Sequence, residues 1–180
     1  RVRPFGAGRL CCRSTQPLYS RLYLLTRLMP TPENPNIDSN NLFTEIVAGN
    51  VPASFVYRDD RVSAFMDIQP VNPGHVLVIP NECAANLSEL DEETGAYLFR
   101  VGHRIAKAIR QSDLKCEGVN IFLADGEAAG QEVFHVHLHV FPRFHEDGFG
   151  LTHSDDYTNL PERPELDDAA EKIKGALREI

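Results

Sequence analysis

No stretch of this 180-residue chain approaches the roughly 20 consecutive apolar residues that a bilayer-crossing helix requires. The longest apolar runs are strand-sized and broken by proline, aspartate or histidine, so the reading is a soluble protein with no membrane partner. Cysteines are few. Cys11, Cys12, Cys83 and Cys116 show no repeated spacing, which argues against a disulfide framework and for reduced thiols in an intracellular protein. No internal repeat is present. Acidic residues are absent from residues 1–30, which carry six arginines, leaving 12 basic against 26 acidic residues, a balance of −14, for the rest. A body of that charge does not bind nucleic acid polymers non-specifically, whereas a local pocket of donors still suits a mononucleotide.

The composition, 42% hydrophobic and 24% charged, is that of a globular domain with tails. Three regions follow: an N-terminal extension and linker over 1–40, a central folded domain over 41–145, and a loop with a C-terminal helix over 146–180. The Arg-rich segment, with its mixed apolar and basic stretch Leu18 to Leu28, reads either as an organellar transit peptide or as an upstream extension, with Met29 available to start a cytosolic form. The localisation expected is therefore cytoplasmic or mitochondrial. Residues 30–40, rich in proline and asparagine, read as a linker.

Periodicity supports a mixed α and β class. Leu42, Phe43, Ile46 and Val47 fall at helical spacing, ended by Gly49-Asn50. Phe55 to Tyr57 and Val62 to Met66 read as strands flanking the turn Arg58-Asp59-Asp60-Arg61, and His75 to Ile79 as a strand closed by Pro80. A capping box from Ser88 to Asp91 opens a long helix whose face is traced by Leu98, Val101, Ile105 and Ala108, running to about Gln111. Val119 to Leu123 and residues 135–141 complete the strands. Leu166, Ala170, Ile173, Leu177 and Ile180 then form the stripe of a terminal amphipathic helix that needs a surface to pack on.

The chemistry concentrates in His135-Val136-His137-Leu138-His139-Val140. In a strand, alternate residues share a face, so three imidazoles about 7 Å apart stand on one side and the aliphatics on the other. Such a row has three readings. It is a polar edge without function, or a metal site, since His at i and i+2 can ligate zinc, or a nucleophilic centre acting on phosphorus. Against metal stands the lack of a nearby carboxylate or cysteine to close a site, and the Gly-rich loop just before the triad. A neutral imidazole can displace a leaving group from phosphorus and form a phosphoramidate that water then breaks. That scheme needs one tautomer held by a hydrogen bond, and donors for the phosphoryl oxygens. The backbone N–H groups of Ala129-Gly130-Gln131 are expected to provide such donors.

Taken together, Pro73-Gly74-His75-Val76-Leu77-Val78-Ile79-Pro80, Ala129-Gly130-Gln131, the three alternating histidines, Tyr57-Arg58-Asp59-Asp60 and Ala64-Phe65-Met66-Asp67-Ile68 resemble the histidine triad (HIT) superfamily over residues 41–143. The resemblance implies an α+β fold: a five-stranded antiparallel sheet with a long helix and a C-terminal helix, assembled as a homodimer by edge-to-edge sheet pairing and packing of the long helices. It implies His137 as the nucleophile, His139 and His135 as assisting and orienting groups, and His75 as the fourth histidine. It also implies that Asp67 holds the ribose hydroxyls, that Leu42, Phe43, Ile46, Phe65 and Ile68 line the slot for the base, and that Gly130, Gln131 and residue 132 adjoin the phosphate. By itself, Asp67 also reads as a turn-capping acid before Pro70, and the apolar set in part as core, since one surface can do both.

The implied activity is hydrolysis at the α-phosphate through a nucleotidyl-histidine, with a purine nucleotide as substrate and no cofactor. His139, where nucleotidylyltransferases of the superfamily carry glutamine, favours the hydrolase branches. A Hint-like nucleoside phosphoramidase is favoured over a Fhit-like dinucleoside polyphosphate hydrolase. Four positions depart from the pattern: Ala124 where Asn or Gln is usual, Glu132 where Ser or Thr is usual, Asn41 and Thr44 in place of a zinc-binding Cys-x-x-Cys, and Cys83 in place of a histidine. They predict no zinc and a shifted or reduced activity. A slow-turnover nucleotide sensor or scaffold, and a metal-binding triad, are the alternative classes. His103, His145 and His153 read as surface or packing residues.

Overall fold

The computed structural model describes residues 42–180, so the Arg-rich segment, the linker and Asn41 lie outside the described residues. Two compact units are present, one ending at Asp147 and the other running from Gly148 to Ile180. The first begins with α1 (Leu42–Ala48) and continues through β1 (Phe55–Arg58), β2 (Val62–Met66), β3 (Val76–Pro80), α2 (Glu92–Gln111), β4 (Gly118–Leu123) and β5 (Leu138–Arg143). The strands form one antiparallel sheet in the order β1-β2-β3-β5-β4, which is the α+β architecture the resemblance implied. Gly49 ends α1 with φ +85°, a left-handed conformation that glycine adopts without a Cβ clash.

Alternation sorts the sheet into two faces. Val62, Ala64, Val76, Val78, Leu138 and Val140 pack against Leu98, Val101, Ile105 and Ile109 of α2. The register puts the side chains of Phe65, Leu77 and Ile79 on the opposite face, where they cluster with Leu42, Phe43 and Ile46 of α1 and with Val133. The helix lies close to the sheet because Gly102 faces Leu138: a Cβ there would sit 2.7 Å from Leu138 Cδ2. The β1–β2 turn is tied down by Asp59. Its Oδ1 accepts the N–H groups of Arg61 and Val62, and its Oδ2 accepts the hydroxyls of Tyr57 and of Tyr97 on α2.

Several boundaries differ from those the periodicity suggested. Helix α2 begins at Glu92, not at Ser88, because Asp91 is its N-cap, accepting from the Thr94 N–H at 2.9 Å. Residues Leu87–Glu89 form a separate 3-10 turn capped by Asn86. Ile109, not Ala108, continues the buried face. Strand β5 starts at Leu138, three residues later than expected, so only His139 of the triad belongs to the ladder. His75 likewise precedes β3.

The unit from Gly148 to Ile180 contains a 3-10 turn and α3 (Arg163–Leu177), with Pro164 in its first turn. Its predicted stripe, Leu166, Ile173 and Leu177, is exposed. No helix among the described residues is long and apolar enough to cross a membrane.

Replacing Gly102 by Leu should overpack the α2–sheet contact and lower unfolding stability by about 2 kcal/mol. Urea denaturation monitored by circular dichroism reads this directly, and wild-type stability in the variant would refute the close-approach role of the glycine.

Candidate active site

The face of the sheet opposite α2 carries the imidazoles. His139 projects from β5 opposite Leu77 of β3 and Phe122 of β4. The His75 ring stands 5.1 Å from that of His139 and 4.9 Å from that of Phe141. The His137 and His139 rings are 4.8 Å apart, closer than the 7 Å of an ideal strand, because the chain turns before Leu138. Phe43 of α1 presents an edge contact to His137 at 5.3 Å and to His135 at 5.9 Å.

Hydrogen bonds assign the tautomers. The His137 Nδ1 lies 2.7 Å from the carbonyl oxygen of His135. A carbonyl only accepts, so Nδ1 carries the proton and Nε2 carries the lone pair. This bond exists because the segment is outside the ladder: Val136 N–H bonds Ala84 O and His135 N–H bonds Val133 O, which leaves the His135 carbonyl to turn onto the ring. A second chain starts at the Val71 N–H, which donates to His75 Nδ1 at 3.1 Å. The proton of a neutral His75 therefore sits on Nε2 and is donated to His139 Nδ1 at 2.9 Å. His139 then presents an Nε2–H donor next to the His137 lone pair.

The His75 loop is itself held by Asn72, a buried residue that the sequence reading passed over. Its Nδ2 donates to Pro142 O and to Asp147 Oδ2, each at 2.9 Å. An asparagine in the turn before Pro73-Gly74 was the one available signal.

Burial lowers the basicity of all four imidazoles. For His135 and His137 it outweighs the hydrogen bonds to Pro80 O and His135 O, and for His75 it outweighs the nearby Asp67 carboxylate. His139, buried and next to His137 and His75, is pushed down to about 3. The site is thus a set of neutral rings. Asp67 Oδ2 approaches His75 Nδ1 at 3.5 Å, but that nitrogen already accepts the Val71 N–H, so the contact is not an ion pair while His75 is neutral.

Three expectations need correction. His135 does not join the imidazole row: its ring Nε2 donates to Pro80 O at 2.9 Å, its Nδ1 has no hydrogen-bond partner, and it acts on His137 through its backbone carbonyl. The backbone N–H groups of Ala129, Gly130 and Gln131 are not free donors, because they bond to Gly126 O, Glu127 O and Gly126 O within a 3-10 turn, with Gly130 at φ +87°. The Gln131 side chain is equally committed, accepting from Gly126 N–H and donating to Ala85 O and Val133 O. Ile68, expected in the apolar slot, is 66% exposed, whereas Leu42, Phe43, Ile46 and Phe65 cluster together under the histidines. Asp67 lies beside them, and its Oδ1 caps the Gln69 N–H at 2.8 Å, which is the turn-capping role. Ala124 is buried, and Glu132 is exposed.

Among the described residues, Asp67, His75 and His139 are the one group whose donor atoms come within 4.8 Å of one another. Both imidazoles are already committed to the hydrogen-bond chain from Val71, and a cation would have to displace the Val71–His75 and His75–His139 bonds. Of the positions that the resemblance links to a structural zinc, Thr44 is exposed and offers no thiolate.

A five-stranded antiparallel sheet with one long helix behind it and a row of neutral, tautomer-fixed imidazoles in front defines a class of protein built around histidine chemistry. The chain matches the HIT domain over residues 48–146 and belongs to the HIT family. It is 43% identical to "Protein hit" of Bacillus subtilis over 66% of this chain and 83% of that protein. A HIT family protein of Bacillus anthracis is 37% identical, with a TM-score of 0.69 over 75% of this chain and 95% of that one. The histidine triad nucleotide-binding protein of Candida albicans is 27% identical, with a TM-score of 0.66 over 76% and 96%.

Neutral buried histidines make stability depend on pH. The unfolded chain takes up protons near pH 6.5 while the folded rings do not, so stability is full above that value and is lost as pH falls towards the depressed folded values. Between pH 7.5 and 5, thermal denaturation should show a decline, with His139 contributing roughly 1–2 kcal/mol. His139→Gln should flatten the profile, and an equally steep profile in that variant would contradict the assignment.

Proposed function

We propose that this protein is a nucleoside phosphoramidase that cleaves purine nucleotide derivatives at the α-phosphate through a covalent intermediate on His137. The observation that carries this reading is the 2.7 Å bond from His137 Nδ1–H to the His135 carbonyl, which leaves Nε2 as a nucleophile of fixed direction. That lone pair attacks phosphorus, the bond from phosphorus to the leaving nitrogen breaks, and water supplies the proton that the departing amine takes up. The resulting hydroxide, or a further water, then attacks phosphorus, releasing the nucleoside monophosphate and the His137 lone pair. His139 presents its Nε2–H to the oxygens or to the leaving atom, and the His75 bond keeps that proton on Nε2.

Support for the nucleotide comes from the surroundings. Leu42, Phe43, Ile46 and Phe65 form an apolar cluster next to the histidines that suits the face of a base. Asp67 keeps one carboxylate oxygen, Oδ2, clear of the turn it caps, and a carboxylate accepting two vicinal hydroxyls distinguishes ribose from bare phosphate. The nucleotide-binding name of the Candida albicans relative points the same way. We also propose that the chain acts as a homodimer. Strand β4 is an edge strand with exposed Phe122, and α2 leaves Phe99 exposed, so a second copy would cover both.

His137→Ala should abolish turnover of an adenosine phosphoramidate, by at least about a thousandfold, while retaining nucleotide binding by calorimetry. Wild-type turnover in this variant would end the proposal, and faster triad-dependent cleavage of diadenosine triphosphate would reassign the substrate. Asp67→Ala should instead weaken nucleotide binding about tenfold, and unchanged affinity would remove the ribose role. Sedimentation equilibrium should return twice the 20.1 kDa chain mass, and a monomer at micromolar concentration would refute the dimer.

A further inference from the structure

The His75 nitrogen that faces away from His139 has two neighbours with opposite demands. The Val71 N–H, 3.1 Å from Nδ1, can only donate, whereas the Asp67 carboxylate oxygen Oδ2, 3.5 Å from the same atom, can only accept when ionised. While the amide holds Nδ1, the ring proton is on Nε2 and is donated to His139 Nδ1, so His139 shows Nε2–H outward. Were the carboxylate to hold Nδ1 instead, the ring proton would be there and Nε2 would become an acceptor. The His139 tautomer that satisfies it carries its proton on Nδ1 and turns a lone pair outward, where a donor is needed. No proton is gained or lost between the two arrangements; each ring moves its own from one nitrogen to the other.

A charged acceptor makes a stronger bond than a neutral pair does, so the productive arrangement requires the Val71 amide to be kept in place. Asn72, the next residue, is buried and bonded at both ends. Its Nδ2 donates to Pro142 O and to Asp147 Oδ2, each at 2.9 Å, and its backbone carbonyl accepts the His75 N–H at 3.1 Å. The Asp147 carboxylate is itself 2% exposed and pinned by Arg143, with Nε 2.5 Å from Oδ2 and Nη2 2.8 Å from Oδ1. The turn that carries the Val71 N–H is thereby tied to β5, the strand that carries His139.

We propose that Asn72 is a positioning residue: bonded to Asp147 and Pro142, it holds the Val71 amide on His75 in competition with the Asp67 carboxylate, and so sets the tautomer that gives His139 its outward donor proton. The consequence for turnover rests on the phosphoramidase reading, whereas the tautomer is a property of the protein without nucleotide. Asp67 then has two opposed effects, recognition of the nucleoside and a pull towards the unproductive tautomer.

The test labels the histidines of the full chain with 15N and reads from the side-chain shifts which ring nitrogen of His75 and His139 carries the proton, without nucleotide. Wild type should show Nε2–H on both rings, and Asn72→Ala should move the proton to Nδ1 on both. In the same variant, kcat for an adenosine phosphoramidate should fall on the order of a hundredfold, with KM within about threefold of wild type. Adding Asp67→Asn to Asn72→Ala should return the proton to Nε2 and raise kcat again by about tenfold, because an amide can donate to Nδ1 where a carboxylate cannot. A substitution that merely loosened the fold would not be repaired by that second change. Asp147→Asn keeps the shape of its side chain but sets an amide N–H against Arg143 or Asn72, so it should move the same resonances and serves if Asn72→Ala does not fold. His75 protonated on Nε2 to the same extent in wild type and variants overturns the inference, as does a wild-type His75 protonated on Nδ1 or a double variant that stays on Nδ1. Failure of the wild type to cleave the phosphoramidate overturns the phosphoramidase reading alone, because the shifts decide the positioning role independently.

Discussion

The geometry of the histidine site hangs on one short hydrogen bond, from the Nδ1–H of His137 to the carbonyl of His135. Two residues apart in a regular strand, these groups would not meet, because each carbonyl would be taken by a neighbouring strand. Here the chain stays out of the ladder until Leu138, held instead by the Val136 N–H on Ala84 O. The lead-in segment is therefore free to bend its own carbonyl onto the ring. The same bend draws the His137 and His139 rings to 4.8 Å and turns the His135 ring away towards Pro80.

Burial makes that arrangement chemically useful. The His135 and His137 rings pack against Phe43 of α1, and removal from water disfavours the imidazolium form of each of the four. A protonated His137 would have no lone pair to offer, so desolvation, by lowering the basicity of the ring, favours the form with a free Nε2. The linear bonding from Val71 through His75 to His139 does the complementary task of placing a donor proton on the outward nitrogen. Asn72 and Asp147 hold the loop from which this chain starts, so a residue outside the motif determines the orientation of one inside it.

The elements were legible in the sequence wherever packing agrees with local pattern. Strands β2 and β3, short runs bounded by turn residues, and the apolar face of α2 read clearly because each is buried on one or both sides. Boundaries were less legible. Asp91 rather than Ser88 caps α2 because the short turn at Leu87–Glu89 interrupts the helical direction, and no propensity distinguishes two polar residues three apart in such a stretch. Ile68 reads as part of an apolar set by composition, yet it is exposed, since Asp67 starts a turn that carries it outward.

The alternation of His135, His137 and His139 with aliphatics by itself determined that Val136, Leu138 and Val140 would face the core and that His139 would stand on the opposite face of the sheet. Spacing is local, and a side chain's face follows from it. Only the tertiary structure decided which histidine keeps its lone pair, which ring leaves the row, and that the glycine-flanked turn from Gly126 to Gln131 consumes its own N–H groups. Those outcomes depend on partners far away in the chain, Pro80 and Val71 among them. A hydrogen bond between distant residues leaves no periodic trace in either segment.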